Sequence, residues 1–200
     1  MSITDNQNLH HTQNSLDNFF KRFINTVEAR TGELPVTEYD AQWLSPCQQG
    51  KPFMSEQMQH SIHWQPFLRP DNPDKNDLAG LEKALEIRLH PDIRVFFSRY
   101  WSDHVDAIFQ QGNLSLMFVW NENDMQRLIE NQLGHALNKI RNKQELTFFI
   151  ACTDSDYIIS MANESGRVVL ERPGYGVEKV LAMSLTDFLD ELEHGKLEAK

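Results

Sequence analysis

Apolar positions recur at intervals of three and four near the start of the chain. Leu16, Phe19, Phe20, Phe23, Ile24 and Val27 fall on one face of a helix at that spacing. Ser15 is the expected N-cap, Asp17 a first-turn acid and Gly32 the stop. A second helix is expected from Asp77 through Leu78, Leu81, Leu85 and Ile87. His90-Pro91-Asp92 breaks it and starts another, since proline is tolerated in a first turn; Ile93, Phe96, Phe97 and Tyr100 form that apolar face. The longest helix opens at Asn121-Glu122-Asn123-Asp124 and keeps its period through Met125, Leu128, Ile129, Leu133, Leu137 and Ile140. A last one opens at Ser184-Leu-Thr-Asp187, a spacing close to a capping box.

Between these helices the pattern is strand-like. Residues 105–109 and 114–120 flank the turn Gln110-Gln111-Gly112-Asn113 and predict a hairpin. Residues 146–152, 157–161 and 167–170 predict three antiparallel strands, with turns at 153–156 and 163–166, and residues 177–183 add another. Helices, hairpin, helix, meander, helix is not βαβ alternation. It predicts a single α+β domain, its antiparallel or mixed sheet flanked by helices.

Residues 33–76 behave differently. Pro35, Pro46, Pro52, Pro66, Pro70 and Pro73 fall here with Tyr39, Trp43, Phe53, Trp64 and Phe67. Proline disfavours helix interiors and central strands, so the segment reads as irregular but packed, with one short strand near residues 62–65. Residues 1–14 read as a disordered polar tail, residues 15–195 as the domain and residues 196–200 as a second tail.

The chain has 200 residues and a formal net charge of −10. Such a surface is repelled by phosphate backbones and anionic headgroups and attracts basic partners, which argues against nucleic acid and against direct lipid insertion. The N-terminus has neither a basic region nor an apolar core of a signal peptide, and no apolar run approaches the ~20 residues of a membrane helix. The two cysteines are expected reduced, Cys47 in a loop and Cys152 inside a buried strand.

A search for chemistry finds little. Gly174-Tyr-Gly176 is too short for a phosphate loop and does not join strand to helix. His60 and His63 lie among prolines without a third metal ligand at matching spacing. No G-x-S-x-G elbow is present. His90, His104 and His135 are possible bases, but His135 reads as a helix-packing residue that satisfies a neighbouring strand's backbone. Gly134 reads as the mark of close helix–sheet approach. No enzyme, metal or cofactor is expected. The acids carry more information. Glu82 and Glu86 stand one turn apart on one predicted helix face, Asp103 precedes the hairpin, and Glu122 and Asp124 open the long helix. Each has a bland role available as a solvated or helix-start acid. Together they would form the acidic concavity a basic partner requires. Trp101 and Trp120 could anchor such a surface, though a core role fits them better.

Ser45-Pro46-Cys47, Trp64-Gln65-Pro66, Glu82 through His90-Pro91, Asn131-Gln-Leu-Gly134-His135, Phe149-Ile150-Ala151, Asn163-Glu-Ser-Gly166 and Leu185-Thr-Asp-Phe188-Leu189 occur in the order and spacing of the Syd family, across roughly residues 16–192. The resemblance implies a SUKH-like α+β domain in the bacterial cytosol that reaches the inner membrane by binding SecY, the protein-export channel. It implies a concave, negatively charged groove for basic cytosolic loops, to which Glu82, Glu86, Asp103, Glu122 and Asp124 are assigned. It further implies action on excess or improperly complexed SecY, or restraint of the translocase. The rival readings are a SUKH-type immunity protein that neutralises a basic nuclease toxin and, behind it, a hydrolytic enzyme. The sequence leaves the oligomeric state open.

Overall fold

The computed structural model describes residues 3–56, 59–70 and 77–194, with side-chain surroundings from His10 onward. Residues 71–76 of the proline-rich segment, Pro73 among them, and the expected tail at 196–200 lie outside the described residues. Helix α1 (Ile3–Thr31) is followed by β1 (Val36–Glu38), β2 (Gln48–Met54), β3 (His60–Trp64) and β4 (Phe67–Leu68). Helices α2 (Ala79–Leu85) and α3 (Pro91–Ser98) lead to β5 (Tyr100–Trp101), β6 (Val105–Phe109) and β7 (Gly112–Leu116). Helix α4 (Glu122–Arg141) precedes β8 (Thr147–Thr153), β9 (Ile158–Ala162), β10 (Val168–Arg172) and β11 (Gly176–Ala182), and α5 (Leu185–Glu191) and β12 (Glu193–His194) follow.

The main sheet has the order β11-β10-β9-β8-β7-β6-β12, and its pairings are antiparallel. The fold is α+β. Local signals place most of it. Asn121 accepts from the Asp124 N–H at 2.9 Å to cap α4, and Ser184 accepts from the Asp187 N–H at 3.1 Å to cap α5. The hairpin turns tightly at Gln110-Gln111, with Gln110 at φ 57°, so its second strand ends at Leu116. Strand β12 was not legible locally: α5 returns the chain so that Glu193 faces Ile108 and His194 faces Ala107.

Three expectations change in the first half of the chain. First, α1 starts at Ile3, not Ser15. Thr12 is buried and its hydroxyl donates to Asp92 at 2.8 Å, so its polarity is satisfied inside the protein and does not mark a tail. Asp17, inside the helix, takes two hydrogen bonds from Arg99 at 2.6 and 2.7 Å and one from the Tyr100 hydroxyl at 2.8 Å. Second, residues 33–68 carry a sheet of order β1-β3-β2, and the strand β4, which pairs with β5. Pro52 falls where the β2–β3 register breaks, between Gln49 and Phe53, beside Gly50 at φ +74°; a bulge tolerates a residue without an N–H. Third, Asp77 does not cap α2, whose N-cap is Leu78; its carboxylate pairs with Arg69.

Helix α1 packs on α3 and α5. Its Phe20 meets Phe118 at 4.7 Å between ring centroids, and Phe96 of α3 stacks on Phe118 at 4.8 Å. Helix α4 lies on β8, and α2 on α4. The seam of α4 is not the expected apolar one. Met125, Leu128, Gln132, Ala136 and Lys139 are buried, whereas Leu137 and Ile140 are about half exposed. Gly134 meets no atom within 4 Å at the position a Cβ would take, so it marks no close approach. The reason for the rotation lies in β10, where Glu171 is fully buried. It pairs with Lys139, accepts from Ser160 at 2.6 Å and Thr147 at 2.8 Å, and lies 3.3 Å from His135. A buried carboxylate needs such partners; Ser160 and Thr147 come from neighbouring strands, and Lys139 and His135 from the polar side of the helix. His135 thus satisfies side chains of the sheet, not a strand's backbone.

The β9–β10 turn shows how the chain's motifs meet. Asn163 accepts from the His90 N–H at 3.0 Å and donates to the Arg88 carbonyl at 3.0 Å. Gly166 has φ +72°, and a Cβ there would lie 2.6 Å from His90 Cε1. The His90 ring caps α3 by accepting from the Asp92 N–H, so it cannot swing away freely. We expect Gly166→Ala to lose about 2–4 kcal/mol of stability, from left-handed strain plus the overlap, read as a lower urea midpoint.

Candidate docking surface

The acids expected to form a groove fall into two groups. The first gathers at the start of α4. Asp124 Oδ2 accepts from the Trp120 N–H at 2.9 Å while its own N–H is held by Asn121. It is therefore half-buried and part of the cap. Glu122 is exposed on the first turn. Asp103 is joined to the same region through its neighbour Ser102, whose N–H donates to the Val119 carbonyl at 2.9 Å. Its carboxylate accepts from the His104 N–H at 2.8 Å and stays partly exposed.

The second group stands on α2. Glu82 Oε1 accepts from the Leu89 N–H at 2.9 Å, so this carboxylate ties the end of α2 to the entry of α3. Glu86 is not one turn further along the same helix face. The helix ends at Leu85, and Glu86 is its left-handed C-cap at φ 55°, exposed to solvent. Of the five expected residues, Glu82, Asp124 and Asp103 each accept a backbone N–H, and Glu86, Asp103 and Glu122 face out to differing degrees.

Sequence reasoning missed the loop that flanks the first group. Ser45 Oγ donates to the Trp120 carbonyl at 2.6 Å, Trp120 Nε1 donates to the Trp43 carbonyl at 3.0 Å, and Asn121 Nδ2 donates to the Leu44 carbonyl at 2.9 Å. Trp101 and Trp120 are buried. Both belong to the core, and Trp120 meets Trp64 edge-on at 6.1 Å. Cys47 ends the loop inside the protein. Burial pushes its thiol up to about 11, with the nearby Asp103 charge adding to the effect. A thiol so held is a poor nucleophile at neutral pH. The expected positions are reversed at Cys152, which is exposed on β8, its Sγ 3.5 Å from Met117 Sδ.

Other polar groups are engaged locally. His60 and His63 stand on a strand, and His63 pairs with Glu33 at 3.2 Å and stacks on Phe53. Among the described residues no group of three or more His, Cys, Asp or Glu side chains is arranged to hold a metal ion. A cavity of about 460 Å³ opens between α1, α3, the β9–β10 turn and the start of α5. Its hydroxyls serve the fold: Thr12 bonds Asp92, Ser165 accepts from Arg167 at 3.0 Å, and Ser184 caps α5. No described helix is long and apolar enough to cross a membrane.

Comparison with known proteins adds a family. The model described as Syd protein (SUKH-2) matches residues 13–194. A protein named Protein Syd from Pseudoalteromonas atlantica is 41% identical over 180 residues, 90% of this chain and 94% of its own length. Proteins of that name from Colwellia psychrerythraea and Psychromonas ingrahamii are each 38% identical. The first match covers 88% of this chain and 90% of the relative, the second 90% and 94%. A family model that spans α1 through β12, with relatives this similar over nearly their whole length, places this chain in the Syd family.

Proposed function

We propose that this protein binds SecY. Exposed acids at the start of α4 and the end of α2 meet basic cytosolic loops of the channel, and the bound protein takes up channel that is in excess or improperly complexed. The observation that carries the reading is the family match across nearly the whole chain. The physical means is charge. Cytosolic loops of membrane proteins are rich in Lys and Arg, and a chain of net charge −10 is steered toward them while anionic headgroups and nucleic acid repel it. Membrane association then runs through the channel, without lipid insertion, at the cytosolic face of the inner membrane. The role is that of a binding protein, not an enzyme.

The test is a crosslinking pull-down from native inner-membrane vesicles at low and high salt. SecY should be captured at low salt and largely lost at 1 M, where charges are screened beyond about 3 Å instead of about 10 Å at 0.1 M. Capture of a basic toxin instead, or of lipid vesicles that lack the channel, would overturn the reading.

A further inference from the structure

We propose that Leu44 is the apolar anchor of the docking surface and takes a bulky apolar side chain carried on a cationic segment of the partner. The inference rests on the docking reading above and sharpens it. Leu44 is 57% exposed, Pro46 beside it is exposed, and Trp43 is half-buried. A lone exposed leucine is ordinary. This one is presented by a loop whose backbone is fixed on both sides. The Trp43 and Leu44 carbonyls are held by Trp120 Nε1 and Asn121 Nδ2, and Ser45 Oγ binds the Trp120 carbonyl. At the near end the Trp43 N–H bonds the Asp40 carbonyl at 3.1 Å and the Gln42 N–H bonds Asp40 Oδ1 at 2.7 Å. At the far end Cys47 is buried and its N–H bonds Ser45 Oγ.

A clamped loop loses little freedom on binding, so the contact it makes is realised nearly in full. What surrounds it names the occupant. Asp40 opens the loop, Glu122 follows the asparagine that holds Leu44, Asp124 is bound to the Trp120 N–H, and Asp103 lies near Cys47. Arg127, a cation in contact with the loop, lies 4.2 Å over the Trp43 ring. An exposed apolar side chain on a loop that is bonded to acid-bearing segments fits a partner segment with Lys or Arg flanking an apolar residue, in the pattern of an apolar hot spot with a charged border.

The experiment measures binding of the full chain to inverted inner-membrane vesicles rich in SecY and to vesicles depleted of it. Leu44→Ala should weaken binding by about tenfold or more and Leu44→Asp further, while Leu44→Met stays within about threefold. Met183→Ala, which alters an exposed apolar side chain on another part of the surface, should bind as the unaltered protein does. The salt dependence of Leu44→Ala should run parallel to that of the unaltered chain, since no charge is removed. Binding of Leu44→Ala and Leu44→Asp within twofold of the unaltered chain overturns the anchor and leaves the docking reading standing. No channel-dependent capture of the unaltered chain overturns the docking reading itself, and the anchor with it.

Discussion

Glu171→Gln should lower the stability of this protein by about 3–5 kcal/mol, the range for removing one partner of a buried ion pair. The replacement keeps the side-chain shape, removes the charge and turns one of the two acceptor oxygens into an NH2 donor. Lys139, buried in α4, is left without its counter-charge, and the acceptor shared by Ser160 and Thr147 is weakened. The same carboxylate ties stability to pH. Burial alone would raise the Glu171 carboxyl, but hydrogen bonds from His135, Lys139 and Ser160 overcome it and hold the group down to about 2 from 4.5. With the folded value depressed, the unfolded chain binds the extra proton between those two values. The stabilisation is therefore complete above about pH 4.5 and is lost as pH falls toward 2, about 3 kcal/mol in all. Replacing both partners, as Lys139→Met with Glu171→Leu, should recover part of the loss, because the desolvation of two charges goes with the pair while the buried Ser160 and Thr147 hydroxyls still lose their shared acceptor. Urea denaturation followed by circular dichroism reads all three proteins. A Glu171→Gln midpoint equal to that of the unaltered protein would show that the pair contributes nothing.

The same cluster marks where local pattern stops being informative. The apolar face of α1, the Pro91 start of α3, the asparagine cap of α4, the hairpin and the turn at residues 163–166 rest on interactions within a few residues, and each was legible. The seam of α4 was not. Leu137 and Ile140 continue its apolar period, yet Gln132 and Lys139 are the buried side chains, because Glu171 on a strand thirty-two positions away sets the face. Strand β12 failed for the same reason, its partner β6 being distant in the chain. Cys47 and Cys152 exchanged places because a loop can plug a core and a strand-like apolar run can still turn one residue outward. At the candidate surface, residue type singled out acids. It could not reveal that the Glu82 and Asp124 carboxylates each accept a backbone N–H, since that depends on where the chain turns.

That distinction decides which charge reversals are informative. Asp124→Lys removes an acceptor from the Trp120 N–H and puts a cation at the positive end of α4. Glu82→Lys leaves the Leu89 N–H without its partner. Each should cost about 1–3 kcal/mol of stability, so lost binding in either would be ambiguous. Glu86 and Glu122 are exposed, and the N–H groups that fix the two turns, those of Trp120 and Leu89, are held by Asp124 and Glu82. Glu86→Lys with Glu122→Lys changes the net charge from −10 by four units and should cost no more than about 1 kcal/mol of stability, chiefly from the cation that Glu122→Lys puts at the positive end of α4. Association with SecY-rich vesicles should slow by about ten- to a hundredfold at low salt, because steering by complementary charge acts chiefly on encounter. The difference should shrink as salt is raised, for screening removes from the unaltered protein what reversal removes from the variant. Adding Asp103→Lys should deepen the loss only if the α4 group forms the contact, whereas a loss produced by Glu86→Lys alone would assign it to the end of α2. Undiminished association in the triple variant, with the fold intact, would mean that the channel is met by another face of the domain.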